Sequence, residues 1–195
     1  MEKRRMNADF QRRVKNTIQL DPEELAQKKK FMELALEEGR KAMNSGAGGP
    51  FGAVIVRNNE VVSCGYNMVF ETLDPTAHAE IVAIRNATQK LGQLDLSDCE
   101  LFTTCEPCPQ CLAATYWAGI SRIYYGITQE ENVKMGFPGA KRMYEAFEKH
   151  GSDKQVVVFA YEDICQKLMA EWLKKDAQEL SLIHISEPTR RYAIS

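Results

Sequence analysis

The chain has 195 residues, enough for one domain to bury a real core without disulfide staples, and its 44% hydrophobic and 27% charged content is ordinary for a globular protein. A net charge of −2 gives no overall attraction to nucleic acid or anionic membranes, and no apolar run approaches the roughly 18 residues of a membrane span. Nothing at the start resembles a signal peptide, so the expected setting is reducing and cytoplasmic, with the six cysteines present as thiols or metal ligands.

Residues 1–20 read as a solvated extension, because their Lys and Arg (Lys3, Arg4, Arg5, Arg12, Arg13, Lys15) are dispersed rather than clustered. Asp21-Pro22-Glu23-Glu24 then has the form of an N-cap, a proline at the first helical position and acids in the first turn. Phe31, Leu34, Ala35, Ala42 and Met43 recur at helical spacing up to Gly46, Gly48 and Gly49. Ala53–Val56 is a short apolar strand, Asn58-Asn59 a turn, and Val61 to Val69 the returning partner. Pro75 closes a loop, after which His78 opens a helix carrying Ile81, Val82, Ile84 and Leu91 near one face.

Leu101–Thr104 is predicted as a third strand, followed by a helix from Cys108 through Cys111, Leu112, Ala114 and Trp117. A fourth strand over Arg122–Tyr125, a helix over Met143–Phe147, a fifth strand over Val156–Ala160 and a closing helix over Ile164–Leu173 complete the series. Strands alternating with helices of this length indicate an α/β layered domain spanning residues 21–180. Ser181–Ser195 has neither period nor caps, resembles a translated sequencing adapter, and is set apart from the fold.

The chemistry concentrates in His78-Ala79-Glu80 and Pro107-Cys108-Pro109-Gln110-Cys111. One imidazole and two thiolates make three zinc ligands and leave a fourth tetrahedral position open for water. Glu80, two residues past the first ligand, has reach to that water without binding the metal. His78 and Cys108 each open a helix, so two positive helix ends converge and favour thiolate over thiol. Cys105 lies three residues before Cys108 and offers a second register; the shared helical face favours Cys108 with Cys111, whereas all three cysteines together would close a four-ligand structural site. Cys64, Cys99 and Cys165 stand alone and read as core or neutral positions, and Trp117 has an apolar neighbourhood.

The H-x-E…P-C-x-x-C pattern is that of zinc deaminases acting on bases and nucleosides. Gly48–Val56 (GGPFGAVIV), Asp74–Glu80 (DPTAHAE) and Cys105–Pro109 (CEPCP) resemble the cytidine-deaminase-like superfamily, and within it most of all the guanine and guanosine deaminases of bacteria and plants. The resemblance covers about Phe31 to Leu173. It implies a three-layer sandwich, a five-stranded mixed sheet with helices on both faces, assembled as a homodimer and holding one zinc per chain. His78, Cys108 and Cys111 would hold that zinc and Glu80 would shuttle protons. Asn67 would hydrogen-bond the base, Phe51 and Trp117 would line its pocket, and the Ala79 N–H and Pro107 carbonyl would meet its polar groups.

Two departures stand out. The resembling enzymes carry an acidic pair after Gly-Phe, where this chain continues Gly136-Phe137-Pro138-Gly139. Their C-terminal tyrosine, donated by the neighbouring subunit, falls where the adapter-like tail stands. The expected reaction is hydrolytic deamination of a free nucleobase, guanine first, with guanosine, cytosine or a tRNA adenosine as other substrates. A zinc-stabilised accessory subunit without turnover is the reading from a different class, and an intact Glu80 argues against it.

Overall fold

The computed structural model describes residues 22–148 and Gln166. Helix α1 (Pro22–Ser45) opens at the predicted proline with Glu23 and Glu24 in its first turn, and Gly46 beyond its end takes a φ of 72°. Chain contacts divide after Lys30 into two units. In the first, Lys28 pairs with Glu24 at 3.4 Å along the opening turns of the helix. The second unit, from Phe31, contains the sheet and everything that follows.

Four strands form one mixed sheet among the described residues: β1 (Gly52–Arg57), β2 (Glu60–Tyr66), β3 (Cys99–Cys105) and β4 (Arg122–Ile127), in the order β2-β1-β3-β4. Strand β1 is antiparallel to both neighbours, while β3 and β4 run parallel. The β1–β2 hairpin turns at Asn58 and Asn59, which both adopt positive φ (52° and 62°), as a twist-matched two-residue turn requires. The predicted fifth strand at Val156–Ala160, the closing helix, Cys165, Asp21, the basic extension and the adapter-like tail lie outside the described residues.

Val69 is not part of β2. The strand stops at Tyr66 and Val69–Thr72 forms a short helix, α2. The Asn67 side chain causes the switch by accepting the Val69 N–H at 3.3 Å, and the Phe70 N–H then bonds the Ala47 carbonyl at 2.8 Å. The remaining elements are α3 (Ala79–Leu91), α4 (Pro109–Trp117), α5 (Gln129–Lys134) and α6 (Gly139–Glu148). Helix α6 begins before the predicted Met143, and α5 has no counterpart in the predicted series.

Alternation along β1 sends its side chains to two faces. Val54 and Val56 pack with Phe102 against Phe31 and Ala35 of α1. Ala53, Ile55 and Leu101 pack on the opposite face against Ala79, Ala83 and Ala87 of α3. Small residues let α3 lie close: a Cβ on Gly65 of β2 would stand 2.5 Å from both the Ala79 carbonyl oxygen and the Ala83 nitrogen. That close approach fixes where α3 starts, and His78 sits at its start.

Candidate active site

Two helix N-termini meet at the centre of this site. His78 is the N-cap of α3 and Cys108 the N-cap of α4, both with extended backbone, and neither side chain caps its own helix. Their functional atoms are therefore available elsewhere. Pro109 at the first position of α4 presets the helical φ, and the Gln110 side chain donates to the Thr76 carbonyl at 2.8 Å, tying the start of α4 to the loop before His78.

The resulting triad is compact. His78 Nδ1 lies 3.5 Å from the Sγ of Cys108 and 3.5 Å from that of Cys111, and the two sulfurs are 3.6 Å apart. A tetrahedral zinc with its usual Zn–S and Zn–N bonds has ligand–ligand edges of about 3.5–3.8 Å, so the three donors fit zinc as they stand. Hydrogen bonds from Cys111 and His78 bring the Cys108 thiol down to about 4, whereas its bond to Cys108 and its burial push Cys111 well above the thiol range. Metal charge would hold both as thiolates. Cys105 is not in the ligand cluster: burial pushes its thiol up to about 12, and its Sγ accepts from the Gln129 side chain at 3.7 Å. The open three-ligand register is the one the fold builds.

Glu80, in the first turn of α3, is only 6% exposed. Burial raises its carboxyl above the ordinary range and the Cys108 charge adds to this, while its own backbone N–H and the His78 charge act in the opposite direction. It lines a cavity of about 430 Å³ together with His78 and Cys108, a size within the range of small-molecule sites. Phe51 and Asn67 line the same cavity and are joined by a hydrogen bond from the Asn67 N–H to the Phe51 carbonyl at 3.0 Å. The other predicted residues stand differently. Ala79 is fully buried, and the Pro107 carbonyl accepts the Tyr144 hydroxyl at 3.2 Å. Trp117 is 79% exposed and does not line the cavity, because its position at the end of α4 carries it away from the ligand-bearing first turn.

Several lining residues were not anticipated. Phe137 meets Phe51 edge-to-face at 5.1 Å, and Gln129 and Asn132 of α5 contribute amides. Pro138 and Gly139 also line the cavity, so the departure from the acidic pair falls on the wall itself. The Thr128-x-x-Glu131 capping box that starts α5 was visible in the sequence, with the Thr128 N–H donating to Glu131 at 2.8 Å and the Glu131 N–H to Thr128 Oγ1 at 3.2 Å.

The model of the cytidine and deoxycytidylate deaminase zinc-binding region matches residues 25–127, more than half of the chain. The chain belongs to this family. As a member of this deaminase family it is similar to the guanine deaminase of Bacillus subtilis (strain 168), with 40% identity over 126 residues, covering 65% of this chain and 80% of that protein. It is also similar to the tRNA-specific adenosine deaminase of Aquifex aeolicus, with 37% identity over 105 residues, 54% of this chain and 69% of that one. The crystal structure of the Bacillus guanine deaminase superposes with a TM-score of 0.68 and 34% identity over 76% of this chain and 96% of that one. The guanine deaminase of Nitrosomonas europaea gives 0.51 and 31% over 55% and 62%. The family's zinc chemistry thus coincides with the triad that the fold assembles. Among the described residues, no helix is long and apolar enough to cross a membrane.

Proposed function

We propose that this protein hydrolytically deaminates guanine, giving xanthine and ammonia. The observation that carries the reading is the open His78–Cys108–Cys111 triad with buried Glu80 on the wall of a cavity lined by an aromatic pair and an amide. When bound, zinc supplies Lewis acidity that makes a coordinated water nucleophilic near neutral pH. Glu80 takes the proton given up in the attack on C2 and delivers it to a ring nitrogen, then carries the remaining hydroxyl proton to the amino group, so that the C2–N bond breaks with release of ammonia as the C2 carbonyl forms. Phe51 and Phe137 hold the ring plane. Asn67, its oxygen turned toward the Val69 N–H, presents the rest of its amide to the base edge. The Pro107 carbonyl keeps a second lone pair for an N–H of the base, and the Ala79 N–H completes the polar set. Trp117 is left out of that set.

The same reading includes a homodimer, a cytoplasmic setting, a fifth sheet strand at Val156–Ala160, and a deaminase domain over residues 21–180 preceded by the basic extension. The test is ammonia release from guanine, guanosine, cytosine, adenine and a tRNA anticodon stem-loop, with the zinc-loaded protein. Guanine is expected to give the highest kcat/KM. Preference for the stem-loop would move the assignment to the tRNA-acting relatives, and no release from any substrate would leave a binding module.

A further inference from the structure

We propose that Tyr144 is a positioning residue for base binding, its hydroxyl latching one wall of the cavity to the loop that carries Cys108; this rests on the nucleobase reading above. One wall comes from the start of α6 and the turn before it, where Phe137, Gly139, Ala140 and Met143 line the cavity. Another comes from the loop between β3 and α4, where Glu106 and Cys108 line it. The Tyr144 hydroxyl joins the two by donating to the Pro107 carbonyl at 3.2 Å, across 37 positions of the chain. Ala140, Met143 and Tyr144 fall on one face of α6 by helical spacing, so the bond is made from the side of the helix that meets the cavity. Its two ends stand just behind the lining: Met143 precedes Tyr144, and Glu106 and Cys108 flank Pro107.

Proline at 107 and 109 takes two backbone donors out of the segment around Cys108, which leaves that segment dependent on outside partners. Glu106 is held from the side of β4 and α5, its N–H donating to the Ile127 carbonyl at 2.8 Å and its carboxylate accepting the Gln129 N–H at 2.9 Å. Pro107 is held from α6 by Tyr144. The wall is pinned at its other end by the Phe137 N–H on the Asn132 carbonyl at 3.1 Å and by the Phe137 ring against Phe51. Without the phenol, Ala140 and Met143 would be free to draw away from the Cys108 loop about that pinned end. Tyr144 is half-buried, so water competes poorly for the bond. Its hydroxyl is committed to Pro107 and touches neither the triad nor Glu80. The latch therefore sets the spacing at which a flat base fits between wall and loop, and its loss weakens substrate and transition state alike, which raises KM and spares kcat.

The experiment follows ammonia release from guanine by zinc-loaded parent, Tyr144→Phe and Lys141→Ala proteins. Tyr144→Phe keeps the ring and removes only the donor. Its KM is expected to rise about fivefold, the scale of one hydrogen bond, with kcat and zinc content unchanged. Calorimetric titration of guanine into the Glu80→Gln form, with and without Tyr144→Phe, should show the same loss of affinity. Lys141→Ala breaks an exposed pair with Glu145 on the same helix, at 3.9 Å, and should leave KM at the parent value. Tyr144→Leu serves if the phenylalanine variant does not fold. A parent-like KM in the folded Tyr144 variant overturns the inference, as does a loss confined to kcat or an equal rise of KM in Lys141→Ala. A parent that releases ammonia from no base overturns the functional reading and the latch with it, whereas an active parent with a Tyr144 variant of unchanged KM overturns the latch alone.

Discussion

Among the described residues, Glu80 and Glu106 are the carboxylates on the cavity wall, and their surroundings give them different work. Glu106 accepts the Gln129 N–H at 2.9 Å and serves the connection to α5. Glu80 is buried beside the triad. Glu80→Gln should therefore retain zinc by elemental analysis while turnover drops at least ~10²-fold, the scale of a general acid–base; near-parental kcat would remove the shuttle role. Asn67→Ala should lower kcat/KM for guanine by roughly tenfold or more, because a matched polar partner of the base disappears. The variant would also lose the bond that starts α2, so circular dichroism must show an intact fold before the kinetic loss is read as recognition. His78, Glu80, Cys108 and Cys111 were legible because their chemistry depends on spacing within two short strings. Gln129, Asn132 and Phe137 were not, since their place on the wall depends on how α5 and the turn after it fold back, which no local pattern encodes.

At the level of elements, the start of α3 is set by contact with β2 rather than by a cap. Gly65→Ala would drive a methyl into the Ala79 carbonyl and the Ala83 backbone, neither of which is a flexible side-chain end. A loss of about 1–3 kcal/mol of stability is expected, the range for forced overpacking. Because the shifted helix carries His78 and Glu80, zinc affinity should fall with it. Denaturant unfolding beside a zinc-chelator competition checks both; lowered stability with unchanged zinc affinity would separate the helix register from the site. Helices α1, α3 and α4, the β1–β2 hairpin and the third and fourth strands could be read from apolar period and turn residues. Val69 could not, since a strand-forming valine was overruled by the Asn67 side chain two residues earlier. Helix α5 is too short to show a hydrophobic period, and its capping box was the one signal it offered.

For the molecule as a whole, the triad joins two segments 30 positions apart in the chain. Substituting Cys111 with alanine should remove the metal and lower the urea midpoint together, measured by zinc analysis and fluorescence-detected unfolding; full zinc content in that variant would contradict the ligand set. A native mass near twice the 22.1 kDa of one chain, read by sedimentation, is expected for the homodimer. With zinc bound, the His78–Cys108–Cys111 triad would also be a cross-link. It closes a loop containing α3 and β3, and by the chain-entropy account a clasp around a loop of that length is worth on the order of 3–4 kcal/mol, much as a disulfide would be. In a cell short of zinc a larger share of the unclasped chains would be open to proteolysis, so the protein's abundance, and not only its activity, would follow the metal supply.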